Sequence, residues 1–269
     1  MSAAPLLISV ALNGARRGKR DHPALPMTSD EIAADALACA EAGAGLLHLH
    51  VRDEDGAHSL APDRYRRAID AIRARCGDRL LIQITTEACG IFPLETQIAA
   101  VRETRPEAAS FALREFLPEG DDESRATDFF AWVREAGILP QFILYAPDEA
   151  DRLTALIARG TLPFSAPHVL FVLGRHVDGP ASDPLALVDF VRRWGGPWSV
   201  CAFGPAEIRV AATAIALGGH ARIGFENNMQ RPDGTLLRSN AEQVERVARI
   251  AALLGRGTMD GNDARTWHA

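Results

Sequence analysis

At 269 residues, with 29 Lys and Arg against 35 Asp and Glu and a formal net charge of −6, the chain lacks the basic surface on which counterion release at nucleic acid depends. Hydrophobic residues make up 47% and charged residues 24%, and no apolar run approaches the ~20 residues needed to span a bilayer, so no membrane partner is expected. Met1-Ser-Ala-Ala-Pro5 carries no charged segment ahead of a signal-type apolar stretch, which points to a cytoplasmic protein.

The first predicted element is LLISVALNG, from Leu6, an apolar and β-branched strand ending in Asn13-Gly14. RRGKRDHPALP, Arg16 to Pro26, is charged and proline-bearing and reads as the loop after it. TSDEIAADALACAEAGA follows as a helix: Thr28 with Glu31 three residues on has capping-box spacing, and Gly43 marks the reversal. Further strands are LLHLHVRD from Leu46, LLIQITT from Leu80, EAASFAL from Glu107, LPQFILYA from Leu139, HVLFVLG from His168, WSVCAFG from Trp198 and ARIGFEN from Ala221. Helical segments separate them, among them ESRATDFFAWVREAG and NAEQVERVARIAALLG, each with a polar start, an apolar stripe and a terminal glycine.

Eight strands alternating with eight helices predict one α/β domain over residues 1–269, a closed (β/α)8 TIM barrel. No G-x-G-x-x-G follows the first strand, which argues against an open dinucleotide-binding sheet. Cys39, Cys76, Cys89 and Cys201 are far apart with no C-x-x-C pair, so they read as buried free thiols.

Chemistry in such a barrel occupies the carboxyl ends of the strands. His48 and His50 stand there at strand period, so both imidazoles face one small volume. On the last strand Arg222, Gly224 and Glu226 share parity, which would set Glu226 at the mouth with Arg222 below it. Closure puts strand eight beside strand one and strand one beside strand two, so the three groups can converge. Two imidazoles, one carboxylate and an open position form a common catalytic zinc arrangement, although iron and manganese accept the same donors. The alternative is that the histidines only hydrogen-bond inside the barrel while Glu226 pairs with Arg222.

ALNGAR, the P-x-T-x-x-E-I-A helix opening, AGAGLLHLHVRD, CAFGPAE and GGHARIGFENN together resemble the motifs of the β-keto acid cleavage enzymes, over about Ile8 to Arg256. The resemblance implies a zinc (β/α)8 barrel, a homo-oligomer with a tetramer favoured. Its reaction condenses a β-keto acid with acetyl-CoA and releases acetoacetate and a new acyl-CoA. By position it makes His48, His50 and Glu226 the metal ligands, Arg222 the activating arginine, and Thr85 the counterpart of a serine that contacts substrate. Asn227 stands where the family often has a basic aspartate, and an amide accepts no proton at neutral pH. Arg16 stands where aminohexanoate-cleaving members have a glutamate, and it would suit an anionic or polar tail. Thr86-Glu87-Ala88-Cys89 replaces a glycine-rich turn, which makes Thr86 and Glu87 candidate substrate contacts beside Asn13.

Other readings use the same residues. A metal-dependent lyase or aldolase without CoA needs the same metal and arginine. An amidohydrolase-type hydrolase needs further histidines on the middle strands, which are missing. A non-catalytic metal-binding barrel is the third. Gly204-Pro205-Ala206-Glu207, at a helix start, is a candidate phosphate contact, whereas His22, His58 and His176 read as surface loop residues.

Overall fold

The computed structural model describes residues 4–120, 123–174 and 182–268. In chain order its elements are β1 (Ile8–Ala11), α1 (Ser29–Glu41), β2 (Leu46–Leu49), β3 (Val51–Arg52), β4 (His58–Ser59), α2 (Pro62–Cys76), β5 (Leu81–Ile84), α3 (Leu94–Thr104), β6 (Ala108–Ala112) and α4 (Leu113–Phe116). They continue with α5 (Ser124–Glu135), β7 (Leu139–Leu144), α6 (Asp148–Ala158), β8 (His168–Leu173), α7 (Ala186–Arg193), β9 (Trp198–Ala202), α8 (Glu207–Ala216), β10 (His220–Ile223), α9 (Asn240–Leu253) and α10 (Gly261–His268). Eight parallel strands close in the order β1-β10-β9-β8-β7-β6-β5-β2, and β3 with β4 forms a separate two-stranded hairpin. The expected barrel and its eight strands are present.

Alternation along each strand divides the interior in two. Ile8, Val10, Leu47, Leu49, Ile82, Ile84, Phe111, Phe142 and Phe171 point outward into one apolar layer between sheet and helices. Leu7, Leu46, Leu81 and Ala108 point inward at the amino end, where Met259 and Ala264 join them. α10 therefore closes the barrel floor, a helix that periodicity did not predict.

Sequence signals at the helix ends hold. Thr28 Oγ1 accepts from the Glu31 amide at 3.3 Å and the Glu31 carboxylate accepts from the Thr28 amide at 3.1 Å. Two boundaries differ from expectation. The second strand stops at Leu49, and Val51 and Arg52 turn away to pair with His58 and Ser59. The last strand stops at Ile223, after which Gly224, at φ +131°, starts a tight turn. Among the described residues no helix is long and apolar enough to cross a membrane.

Candidate metal centre and active site

β1 lies between β2 and β10, with Ala11 in register with His48 and Ser9 with Arg222. Parallel pairing thus brings chain segments far apart in sequence to one rim. His48 Nε2 and His50 Nε2 are 3.2 Å apart, and Glu226 Oε2 lies 3.2 Å from the latter and 3.9 Å from the former. Glu226 arrives there by a route that strand parity did not describe. Gly224 allows the chain to fold back, because a Cβ at that position would run into the Ala11 backbone. Gly14, at φ +59°, clears the other side: a Cβ there would sit 2.5 Å from Glu226 Cγ. The turn is fastened by Glu226 N donating to Ala11 O at 3.2 Å, Gly224 N to Glu207 Oε1 at 3.2 Å, and Phe225 N to Asn240 Oδ1 at 2.7 Å.

Glu226 pairs with Arg222 and at the same time faces the two histidines. Oε1 accepts from Arg222 Nη2 at 3.1 Å, while Oε2 faces the imidazoles and has no hydrogen bond although it is buried. A buried carboxylate oxygen without a donor is costly. Here the three donor atoms lie within 4.8 Å of one another, a spacing that one divalent cation bridges. The residues fit the metal.

Electrostatics agree with ligation. Burial, then the Arg222 charge, hold His48 down at about 3, so its ring is neutral. Burial pushes Glu226 upward, but Arg222 and the imidazoles outweigh it and keep the carboxylate well below its ordinary value. Burial also opposes the Arg222 charge, yet Cys201 and Glu226 raise its pKa above the usual arginine value.

A cavity of about 360 Å³ opens over this cluster. Of the residues singled out in the sequence, Arg16, His48, Thr85, Thr86, Glu87, Arg222 and Glu226 line it. Thr85 Oγ1 accepts from the Glu87 amide at 3.1 Å, and Thr86 Oγ1 donates to Ser110 O at 2.7 Å. Arg16 and Glu87 form an ion pair. Burial would raise Glu87, but His50 and Arg16 outweigh it and its carboxyl stays low; burial raises Glu115, another lining residue.

Several expectations need correction. Asn13 does not line the cavity; its Nδ2 donates to Pro26 O at 3.0 Å, which fastens the loop after β1. Asn227 does not line it either, and its side-chain amide is buried without a hydrogen bond. His22 and His58 are not surface residues. His22 Nε2 lies 2.8 Å from Leu237 O, and His58, in β4, has Nε2 2.9 Å from Glu87 O. His176 lies outside the described residues. Gly204 offers no free amide to a phosphate, since it donates to Asn227 O at 3.1 Å.

The sequence reading missed Ser110, Arg114, Glu115 and Tyr145 in the cavity wall, and Gln83 and Gln141 inside the barrel. It also missed Arg52, whose guanidinium donates to the carbonyls of Gly14, Arg17 and Gly56 and so ties the rim loops together. Gln83 and Gln141 had a signal: each is an amide at an inward parity of an otherwise apolar strand.

The chain matches the β-keto acid cleavage enzyme family over residues 5–268. It is 34% identical to a 3-keto-5-aminohexanoate cleavage enzyme of Fusobacterium nucleatum over 97% of this chain and 96% of that one. With a 3-oxoadipate:acetyl-CoA acetyltransferase of Cupriavidus necator it shares 30% identity over 94% and 90%. Among solved structures, a ternary complex of ObcA with a C4-CoA adduct and oxalate superposes with a TM-score of 0.73 at 19% identity, covering 91% of this chain and 67% of that one. That last likeness is one of fold. Sequence match, barrel and rim cluster converge, and the chain belongs to the β-keto acid cleavage enzyme family.

Proposed function

We propose that this enzyme condenses a β-keto acid with acetyl-CoA and cleaves the product to acetoacetate and a new acyl-CoA, with zinc held by His48, His50 and Glu226. The observation that carries the reading is the unpartnered Glu226 Oε2 facing two imidazole nitrogens beneath an open cavity. A divalent ion bound there supplies Lewis-acid polarisation of the keto oxygen. The other roles belong to the chain. Arg222 presents a buried, permanently charged guanidinium whose Nε has no protein partner, positioned to stabilise enolate charge as the carbon-carbon bond breaks. Thr85, whose oxygen is already held by the Glu87 amide, has its O–H left to donate to a substrate carboxylate.

Arg16 and Glu87 meet the substrate tail, and their pairing suits a tail that is anionic or polar enough to join the ion pair. Thr86 lines the cavity with its hydroxyl committed to Ser110 O, so it shapes the pocket. With an amide at Asn227, proton acceptance passes to a cavity carboxyl. Both Glu115 and Glu87 line the cavity, but Glu87 is committed to the Arg16 ion pair and held low, whereas burial raises Glu115, which makes Glu115 the candidate acceptor. Glu115→Gln is accordingly expected to lower kcat about 100-fold with little change in thermal stability.

The functional test is acetoacetate release by purified protein from a panel of β-keto acids with and without acetyl-CoA. Turnover that requires acetyl-CoA supports the reading; turnover without it makes the protein a lyase. The family resemblance favours a cytoplasmic homotetramer, and the exposed Leu253 and Leu254 at the end of α9 supply apolar surface for subunit contact. Light scattering on a sizing column checks the assembly.

A further inference from the structure

His48 is the first member of a buried hydrogen-bond series that runs down the barrel axis. Its Nδ1 lies 2.7 Å from Gln83 Oε1, and Gln83 Nε2 donates to Gln141 Oε1 at 3.3 Å. Gln141 Nε2 is then 2.9 Å from His168 Nδ1, and His168 Nε2 is 2.8 Å from Ser199 Oγ. All five side chains are buried, on β2, β5, β7, β8 and β9. β6 lies between the two glutamine strands, and it places Ala108 in register with Gln83 and Ser110 with Gln141. Small side chains at those points leave room for the amides to meet. At the lower end, His168 packs edge-on against Trp267 of α10, ring centres 4.9 Å apart.

Direction is what matters here. Each amide accepts with its oxygen on the side of His48 and donates with its nitrogen on the side of Ser199. An oxygen facing His48 Nδ1 requires the ring proton to be there, which leaves the Nε2 lone pair toward His50 and Glu226. The opposite polarity, with every donor and acceptor exchanged, would put the proton on Nε2 and abolish ligation. A single reversed amide would set oxygen against oxygen or nitrogen against nitrogen at the buried Gln83–Gln141 joint, so the two glutamines keep a common polarity.

We infer that Gln83 and Gln141, held by His168, are positioning residues that fix the tautomer of His48 and hence the cation affinity of the rim. The inference rests on the metal reading proposed above and adds to it a determinant about which that reading is silent. It is tested with the full-length protein by two measurements. Nitrogen-15 NMR of the metal-free protein at neutral pH reports the His48 tautomer; a proton on Nδ1 is expected, and a proton on Nε2 overturns the inference. Competition with a chromophoric chelator gives the zinc dissociation constant. Gln83→Leu is expected to weaken it about 10- to 100-fold, as outer partners of metal-bound histidines do, and Gln141→Leu several-fold. Gln83→Glu, which keeps the acceptor for Nδ1–H, is expected to restore most of the affinity.

Wild-type zinc affinity in a folded Gln83→Leu or Gln141→Leu protein overturns the relay and leaves the proposed reaction intact. Should Gln83→Leu fail to fold, the wild-type tautomer and Gln141→Leu still decide. A wild-type protein that binds no zinc, yet carries the proton on Nδ1, instead overturns the metal reading.

Discussion

Arg222 and Glu226 show how one buried charge makes another tolerable. The guanidinium takes one carboxylate oxygen and keeps the group ionised, so the second oxygen stays available to a cation. Replacing Arg222 with Gln is expected to lower kcat about 100- to 1,000-fold, the usual effect of removing a donor from developing oxyanion charge. Steady-state kinetics beside zinc content check it: a loss of rate that merely tracks a loss of metal would assign Arg222 to the ligand set. The meeting of His48, His50 and Glu226 was legible in the sequence because two imidazoles spaced by one residue in an apolar run are rare, although Glu226 reaches them from the turn after β10 and not along the strand. Asn13 was misread because strand-end asparagine serves loops as often as ligands, and only the 3.0 Å bond to Pro26 O separates the two uses.

At the scale of elements, the turn that carries Glu226 depends on helices that never touch the cavity. Asn240, the first residue of α9, accepts from Phe225 N, and its Nδ2 donates to Leu12 O and to Asp35 Oδ2. Asn240→Ala strands these groups, and a loss of about 2–4 kcal/mol is expected in urea unfolding, together with weaker zinc binding. Asp35, half-buried on α1, provides a pH signature. Burial lifts its carboxyl to about 6, against the Asn240 hydrogen bond that lowers it. The folded state thus holds this proton more tightly than the unfolded chain, so its contribution is full below about pH 4 and disappears as pH rises through 6. Asp35→Asn is expected to flatten that part of the stability profile by about 1–2 kcal/mol, discounted for partial exposure, as urea melts between pH 4 and 7 would read. Strands were legible from their β-branched runs, and α1 from its cap. The β3–β4 hairpin and α10 were not, since two-residue strands carry no period and α10 gains its meaning from the floor residues it meets.

For the whole molecule, counting eight alternations sufficed to identify the barrel, while register decided what lay inside it. The glutamine pair illustrates the gap: each amide stands out at an inward position of an apolar strand, but that the two meet emerges only when β5 and β7 are aligned around β6. The cation would join β2 to the turn after β10 across β1, so it belongs to the native state alone. Chelation of the loaded enzyme should lower Tm by roughly 10 °C, since a ligand at a thousandfold its Kd adds about 4 kcal/mol. Calorimetry with and without chelator measures this, and equal midpoints would mean that the rim holds no resident ion.

The closing position of β10 also has a consequence for biosynthesis. Both imidazoles leave the ribosome early, whereas the carboxylate that completes their set follows the last barrel strand. A nascent chain would therefore lack the full set of proposed donors until the turn after β10 has been made, so an ion held by all three would report that the barrel strands are complete.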